Sequence, residues 1–370
     1  MNAEENGGKE HSMPERIALL DSELVSAYGF GREACISGIY SGKNVFSEIR
    51  RFPTEQFLCH KAGTVPGKES ISAEEMLAFC APKVIDLPEE TPVLLASTIG
   101  EIDLLYRSER CTLNSLLEKT LKLFRKKNGK IVSAACASTN AAIDRACRMI
   151  HAGLCEKIII AACDLVSEFA FSGFASIGAM TATEARPYDR NRSGLILGEA
   201  AGILVLSSEK AAHGDEVRAW ITGTGMSGDA LHITAPETDG KELGNAILRA
   251  LGGSDPSETS CILGHGTGTV YNDIMELNAI RNIFGNEIPL ASAKGGCGHT
   301  LGACGMIQTI LAAEVLNRRE LFPQIGLLEP ETNAEKMVSS QKRTLGKGNL
   351  LSLNSGFGGI NAVIRMEAAS

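Results

Sequence analysis

Short apolar runs of strand length alternate with helix-period stretches along this chain, and the alternation occurs twice. Residues 16–20, 93–97, 131–134, 157–162 and 202–206 form a first series of candidate strands, with helical patterns at 113–127 and 141–151. A second series starts at 217–223, passes through 261–263 and 290–293, and ends with 349–353 and 362–366. Strands alternating with helices imply a layered α/β architecture, and two comparable series point to an internal duplication. The join falls near residues 208–216, a polar stretch containing Gly214. A chain of 370 residues exceeds the usual single core, which suits two packed halves. The expected division is a disordered polar tail over residues 1–12, one half over 13–212 and a second over 213–370.

Composition narrows the function classes. With 44% hydrophobic and 22% charged residues this is an ordinary globular composition. A net charge of −8 gives no overall attraction to nucleic acid or to an anionic membrane. Apolar stretches such as 158–163 fall far short of the ~20 residues needed to span a bilayer. The polar, acidic residues 1–11 do not read as a signal peptide. Eleven cysteines, an odd number without paired CxxC spacing, favour neither a disulfide framework nor a zinc site and fit a reducing cytoplasm. Cys297 and Cys304 flank His299, but no second pair completes a metal site, so none is expected.

Three distant segments carry one thiol and two imidazoles: Ala135-Cys136-Ala137-Ser138, Gly264-His265-Gly266-Thr267-Gly268-Thr269 and Lys294-Gly295-Gly296-Cys297-Gly298-His299. Both histidines lie among glycines, where backbone can come close to a substrate. Cys136 follows the apolar run 131–135 and precedes a helical stretch, so it reads as a strand-to-helix turn. A thiol at a helix N-terminus feels the positive end of the macrodipole, which favours the nucleophilic thiolate. The residues alone also allow Cys136 to be a small buried core residue.

The order and wording of these segments closely resemble the beta-ketoacyl-acyl carrier protein synthases of elongation type, condensing enzymes of the thiolase-like superfamily. The resemblance extends to Arg186-Pro187-Tyr188-Asp189, to Gly198-Glu199-Ala200-Ala201-Gly202, to Gly225-Met226-Ser227-Gly228-Asp229-Ala230 with His232-Ile233-Thr234-Ala235-Pro236, and to Gly356-Phe357-Gly358-Gly359-Ile360-Asn361. It implies a thiolase-like five-layer αβαβα fold of two pseudo-symmetric halves, with helices between two sheets and the active site at their junction. It implies decarboxylative Claisen condensation of an acyl thioester with a malonyl-carrier protein, in fatty acid or polyketide-type biosynthesis. No cofactor is expected beyond the phosphopantetheine arm carried by the acyl carrier protein.

By that resemblance Cys136 is the acyl-accepting nucleophile, His265 and His299 stabilise the enolate, and Lys294 acts electrostatically beside His299. Phe357 supplies an oxyanion-hole N–H and an aromatic gate. Thr267 and Thr269 line the pantetheine tunnel, while Ile99, Phe174 and Ser355 border the acyl pocket. Asp273 and Glu276 match acidic residues expected to pair with Lys294. Ser355 stands where the family usually has Phe, which widens the pocket mouth. The segments 113–127 and 180–185 also depart from the pattern, the second being shortened. Arg50-Arg51 and Arg125-Lys126-Lys127 are the visible basic clusters and the candidate docking patches for an acidic carrier protein. The expected assembly is a homodimer, or a heterodimer with a chain-length-factor-like subunit. A non-condensing relative, either an acyltransferase or a malonyl decarboxylase, stays open as the alternative.

Overall fold

The computed structural model describes residues 15–68, 70–107, 112–234 and 236–370, so the expected tail over 1–12, Cys111 and Ala235 lie outside the described residues. Two sets of five strands dominate. The first comprises β1 (Ile17–Ser26), β2 (Val93–Ala96), β3 (Gly129–Val132), β4 (Lys157–Asp164) and β5 (Ala200–Ser208). The second comprises β6 (Ala219–Gly228), β7 (Thr259–Leu263), β8 (Leu290–Ala291), β9 (Asn349–Gly356) and β10 (Ile360–Ala368).

The two sets share one topology. The first lies in the order β1-β5-β4-β2-β3 and the second in the order β6-β10-β9-β7-β8. In each, the two connections furthest from the join are parallel and the two nearest it antiparallel. The two sheets touch at one edge, where β1 pairs β6 antiparallel through Ile17↔Ile221, Ala18↔Trp220 and Leu19↔Ala219. The polar stretch expected to join the halves falls in the turn between β5 and β6.

Burial shows why the strands read as continuous apolar runs. In β4, Ile158, Ile160 and Ala162 enter one core cluster, while Ile159, Ala161 and Cys163 enter another. Successive side chains point to opposite faces, so a sheet covered on both sides needs every position apolar. The shared cluster contains the inner faces of both sheets, α1 (Arg32–Tyr40), α4 (Ser138–His151) and α9 (Cys304–Arg318), the last two forming the central layer, with α8 (Lys294–Cys297) just before α9. Outside the first sheet lie α2 (Ala73–Cys80) and α3 (Leu113–Phe124), through Met76, Leu77, Leu116 and Phe124. Outside the second lie α6 (Lys241–Leu251) and α7 (Val270–Phe284), through Leu243, Ile247, Leu277 and Ile280. Each fully buried aliphatic chain contributes about 1.5–3 kcal/mol of transfer free energy. The predicted helix over 113–127 stops at Phe124, because Arg125 takes a left-handed conformation (φ 53°) and caps it.

α4 and α9 start close together. Cys304, the first residue of α9, donates from its thiol to the Cys136 carbonyl at 3.1 Å. The layering thus brings the turn after β3 against the glycine-rich segments of the second half.

Candidate active site

Between β3 and α4 the chain reverses through Ala135, whose φ of 48° is costly for a residue with a Cβ, about 1–2 kcal/mol. Neighbouring hydroxyls hold the bend. The Ala135 carbonyl accepts from Ser138 Oγ at 2.6 Å and from Thr98 Oγ1 at 3.0 Å, and Ser138 Oγ accepts the Ala134 N–H at 2.9 Å. Thr139 donates to the Gly302 carbonyl at 2.5 Å, and Asn140 donates to the carbonyls of Ser352 and Ala362 at 3.2 and 3.1 Å. The first turn of α4 is therefore tied to the second half, and the Cys136 thiol is fixed, buried, at the junction.

His299 Nε2 lies 3.0 Å from Cys136 Sγ, and the Phe357 N–H also points to the sulfur. The His299 backbone is sutured to the first half: its N–H donates to Ile196 O at 2.7 Å, and its carbonyl accepts from Gly198 at 2.9 Å. The His265 and His299 rings meet edge to face with centroids 5.4 Å apart. Lys294, buried at the start of the short helix Lys294–Cys297, reaches His265 Nδ1 at 3.2 Å and also donates to the His265 carbonyl. Asn354 Nδ2 adds a second contact to that Nδ1 at 3.3 Å. An ammonium is only a donor, so Nδ1 of His265 accepts and its proton sits on Nε2. His299 differs: its Nδ1 is buried with no hydrogen-bond partner among the described residues.

Burial, reinforced by the Lys294 charge, pushes both imidazoles well below their ordinary value, so both stay neutral. Burial also pushes the Cys136 thiol up, against the opposing pull of Lys294 and the Phe357 N–H. The sequence placed the thiol at a helix terminus, which favours the thiolate; burial acts in the opposite direction here, and His299 Nε2 is the polar group beside the sulfur.

The two acidic residues do not pair with Lys294. Glu276 accepts from the N–H groups of His265 at 2.5 Å and Gly266 at 2.8 Å, and Asp273 accepts from Thr267 at 3.0 Å and Gly268 at 3.1 Å. The histidine loop leaves its N–H groups facing α7, so the acids are spent there. Asp273 also lies 3.7 Å from Arg192. Burial pushes Glu276 up to about 7 and raises Asp273 as well.

Above the sulfur opens a cavity of about 330 Å³ lined by Cys136, His265, His299, Thr267, Thr269, Phe174, Ser355 and Phe357. The Thr267 and Thr269 hydroxyls contact each other at 2.8 Å. Phe174, on α5 (Glu168–Ser176), stacks on Phe357 with ring centroids 5.4 Å apart. Ser355 donates to Asn361 Oδ1 at 2.7 Å across the β9–β10 hairpin. Ile99 is not among the lining residues; it packs half-buried against the core cluster that contains Phe171, with its N–H on Asp164 at 3.0 Å.

Each basic cluster is partly committed, with Arg50 and Arg125 exposed. Arg51 forms a two-pronged pair with the buried Glu199 at 2.7 and 3.0 Å. Lys126 is buried and donates to the carbonyls of Leu87 at 3.0 Å and Phe124 at 2.8 Å, while Lys127 pairs with Glu89 and Glu90. Two structural residues were given no role from the sequence. Asp164 gathers Ser97 Oγ and the N–H groups of Thr98, Ile99 and Gly302, and Tyr188 joins both acids of the histidine loop. Among the described residues no group of three or more His, Cys, Asp or Glu is placed to hold a metal ion. None of the described helices is long and apolar enough to cross a membrane.

Two family profiles match: "Beta-ketoacyl synthase, N-terminal domain" over residues 130–212 and "Beta-ketoacyl synthase, C-terminal domain" over 218–328. The 3-oxoacyl-[acyl-carrier-protein] synthase 2 of Staphylococcus aureus is 32% identical over 251 residues, covering 64% of this chain and 62% of that protein. The chain thus matches about three fifths of the length of that relative. The synthase of the same name from Synechocystis is 28% identical over 407 residues, covering 95% of this chain and 98% of its own. Among solved structures, the ishigamide ketosynthase/chain length factor superposes with a TM-score of 0.88 at 26% identity, covering 96% of this chain and all of that one.

Proposed function

The chain belongs to the beta-ketoacyl synthase family, and we propose that it is a condensing enzyme that joins an acyl thioester to a malonyl-carrier protein with loss of carbon dioxide. The observation that carries this is the contact of Cys136 Sγ with His299 Nε2 at 3.0 Å, with the His265 ring 5.4 Å beyond. In the first half-reaction the Cys136 sulfur attacks the acyl thioester carbonyl while its proton passes to His299 Nε2. The N–H groups of Cys136 and Phe357 receive the oxyanion. As it collapses, the carrier thiolate leaves and takes the proton from His299, and the acyl group remains on Cys136.

In the second half-reaction the His299 proton has moved from Nδ1 to Nε2, and His265 and His299 both donate from Nε2 to the malonyl thioester oxygen. Carbon dioxide departs and the electron pair it leaves forms the enolate. The enolate carbon attacks the acyl carbonyl, and the Cys136 sulfur leaves as a thiolate that takes a proton from solvent. His299 thus accepts a proton in one step and donates in the next. An Nδ1 that no neighbour pins suits that exchange, as the fixed His265 suits a single role. The pantetheine arm belongs to the substrate, and the scheme uses no other cofactor.

An acyl carrier protein presents both substrates in this reading. Its docking surface is the apolar rim of the cavity: Leu231 is 64% exposed, Ile233 78% and Tyr271 64%. Gly358 donates to the Ile233 carbonyl at 2.8 Å, joining that rim to the Phe357 turn. A second chain of the same fold, a copy or a chain-length-factor-like subunit, would pair along β3. Among the described residues that strand is bonded on one side only, and exposed Leu105 and Phe169 lie on segments tied by the Phe169 N–H on Asp103 at 3.3 Å. The ten free described cysteines fit a cytoplasmic enzyme.

The test is the intact mass of the protein after exposure to a panel of acyl-carrier thioesters, followed by malonyl carrier. An acyl adduct on Cys136 that discharges into a chain-extended product is expected. Adducts that malonyl carrier never discharges would leave only an acyltransferase.

A further inference from the structure

Tyr188 combines three unusual properties. It is completely buried, its φ is 62°, and its polar atoms meet both carboxylates beneath the histidine loop. Its N–H donates to Asp273 Oδ2 at 2.9 Å and its hydroxyl to Glu276 Oε2 at 2.8 Å. Those carboxylates in turn accept the four consecutive N–H groups of His265, Gly266, Thr267 and Gly268. A bulky residue in the left-handed region is strained, and strain of this kind persists only where the surroundings hold it. Here its carbonyl accepts the Glu331 N–H at 2.8 Å, and Asp189 beside it accepts the N–H groups of Leu328 and Glu329 at 2.7 Å each.

The histidine loop is shaped around this ring. A Cβ on Gly264 would lie 2.0 Å from the Tyr188 hydroxyl oxygen, and one on Gly266 would lie 2.6 Å from its Cζ. The glycines on either side of His265 therefore make room for the tyrosine as much as for a substrate. Tyr188 itself is absent from the cavity lining.

We infer that Tyr188 is the positioning residue for His265: its amide and hydroxyl hold Asp273 and Glu276, which hold the loop that aims the imidazole. The inference rests on the condensing role proposed for His265. The charged and titratable groups around Glu276 are Asp273 one turn earlier on α7, Arg192 against Asp273 with Glu331 behind it, Tyr188 itself, and Lys294 beyond His265. The hydroxyl stabilises the charged carboxylate, so its loss pushes Glu276 above its present value of about 7. A protonated Glu276 can no longer accept both N–H groups at full strength, and the loop loosens.

The experiment compares the wild type with Tyr188→Phe, which keeps the ring and removes only the hydroxyl. Three readouts are taken: acyl loading of Cys136, condensation rate against pH, and the pH midpoint of the His265 and Gly266 amide signals in nitrogen-15-labelled protein. The variant is expected to load like the wild type and to condense about tenfold more slowly near neutral pH, the scale of a lost hydrogen bond to a charged group. Its amide midpoint and its acid limb should both move to higher pH. An unmoved midpoint overturns the inference, as does a condensation loss equal at every pH. So does a moved midpoint in a variant that condenses like an active wild type.

If the proposed function is itself wrong, the wild type loads or stays inert without condensing, while the amide midpoint still decides whether Tyr188 controls Glu276. Should Tyr188→Phe fail to fold, Glu276→Gln serves. It should load normally and condense slowly without an acid limb, and a wild-type pH profile in that variant overturns the inference.

Discussion

Lys294 Nζ sits 3.2 Å from Nδ1 of His265, and the two residues are 29 positions apart in the sequence. That contact settles which ring nitrogen of His265 carries the proton, a choice no local pattern could make. The same ammonium also lowers the basicity of both histidines and opposes the upward push on the Cys136 thiol.

Lys294→Met removes this charge while keeping the stem length. With the Lys294 contribution gone, the His265 imidazole rises toward the ordinary value, since that charge is one of the causes holding it down. In ring-labelled protein the wild-type imidazole should stay neutral far below pH ~6.5 and the variant should titrate closer to it. Condensation should fall about ten- to a hundredfold, the range seen when a partner that orients an active-site ligand is lost. A His265 signal that titrates identically in both proteins would show that Lys294 does not govern the tautomer.

The two histidines should separate kinetically. His265→Ala leaves the contact between Cys136 and His299 in place, so it should load acyl groups at close to the wild-type rate and fail to condense. His299→Ala should be slow in both steps, because the buried thiol loses its proton acceptor; a loss of about a hundredfold in loading is in the range of general-base catalysis. Single-turnover loading followed by mass spectrometry checks both, and equal loading in the two variants would assign thiol activation elsewhere.

Gly356 touches the nucleophile turn. A Cβ there would lie 2.8 Å from Ala134 O and 3.2 Å from Cys136 N. Gly356→Ala should therefore push the β9–β10 hairpin, and with it the Phe357 N–H, away from the sulfur. Loading should fall about a hundredfold, the cost of losing one oxyanion donor, while the urea midpoint changes little. A variant that loads normally would place the oxyanion donors elsewhere.

What the sequence conveyed and what it hid divide along the range of the interactions. The strands announced themselves because a sheet buried on both faces must be apolar at every position, as residues 158–163 are. The turn at Cys136 was readable from a strand run followed at once by a helix start. Long-range partners were not: Arg51 looked like half of a basic patch, yet its charge is matched by Glu199, 148 residues later. Lys126 looked solvated and instead caps buried carbonyls. Asp273 and Glu276 were recognised as part of the site but assigned to the wrong partner, since their spacing of one helical turn fits an ion pair as well as it fits a cradle for backbone N–H groups. Tyr188 stood in a recognised segment but without a role, because its importance lies in a backbone angle and in two contacts more than 80 residues away.

Carrier recognition supplies the last prediction. Arg51 and Lys126 are committed to structure and Lys127 is paired, and the proposed docking surface is the exposed apolar rim beside the cavity mouth. Ile233→Asp places a charge in that rim without touching Cys136 or either histidine. The KM for acyl-carrier substrates should rise about tenfold, matching the loss of one buried aliphatic contact together with the desolvation of a charge. Loading from a small acyl thioester that lacks the carrier should be unchanged, because it bypasses the rim. Arg125→Glu serves as the control, since that residue caps α3 and does not line the cavity, and its KM should stay at the wild-type value. If the control raises KM and Ile233→Asp does not, the docking surface is the basic end of α3 and the apolar rim has another purpose.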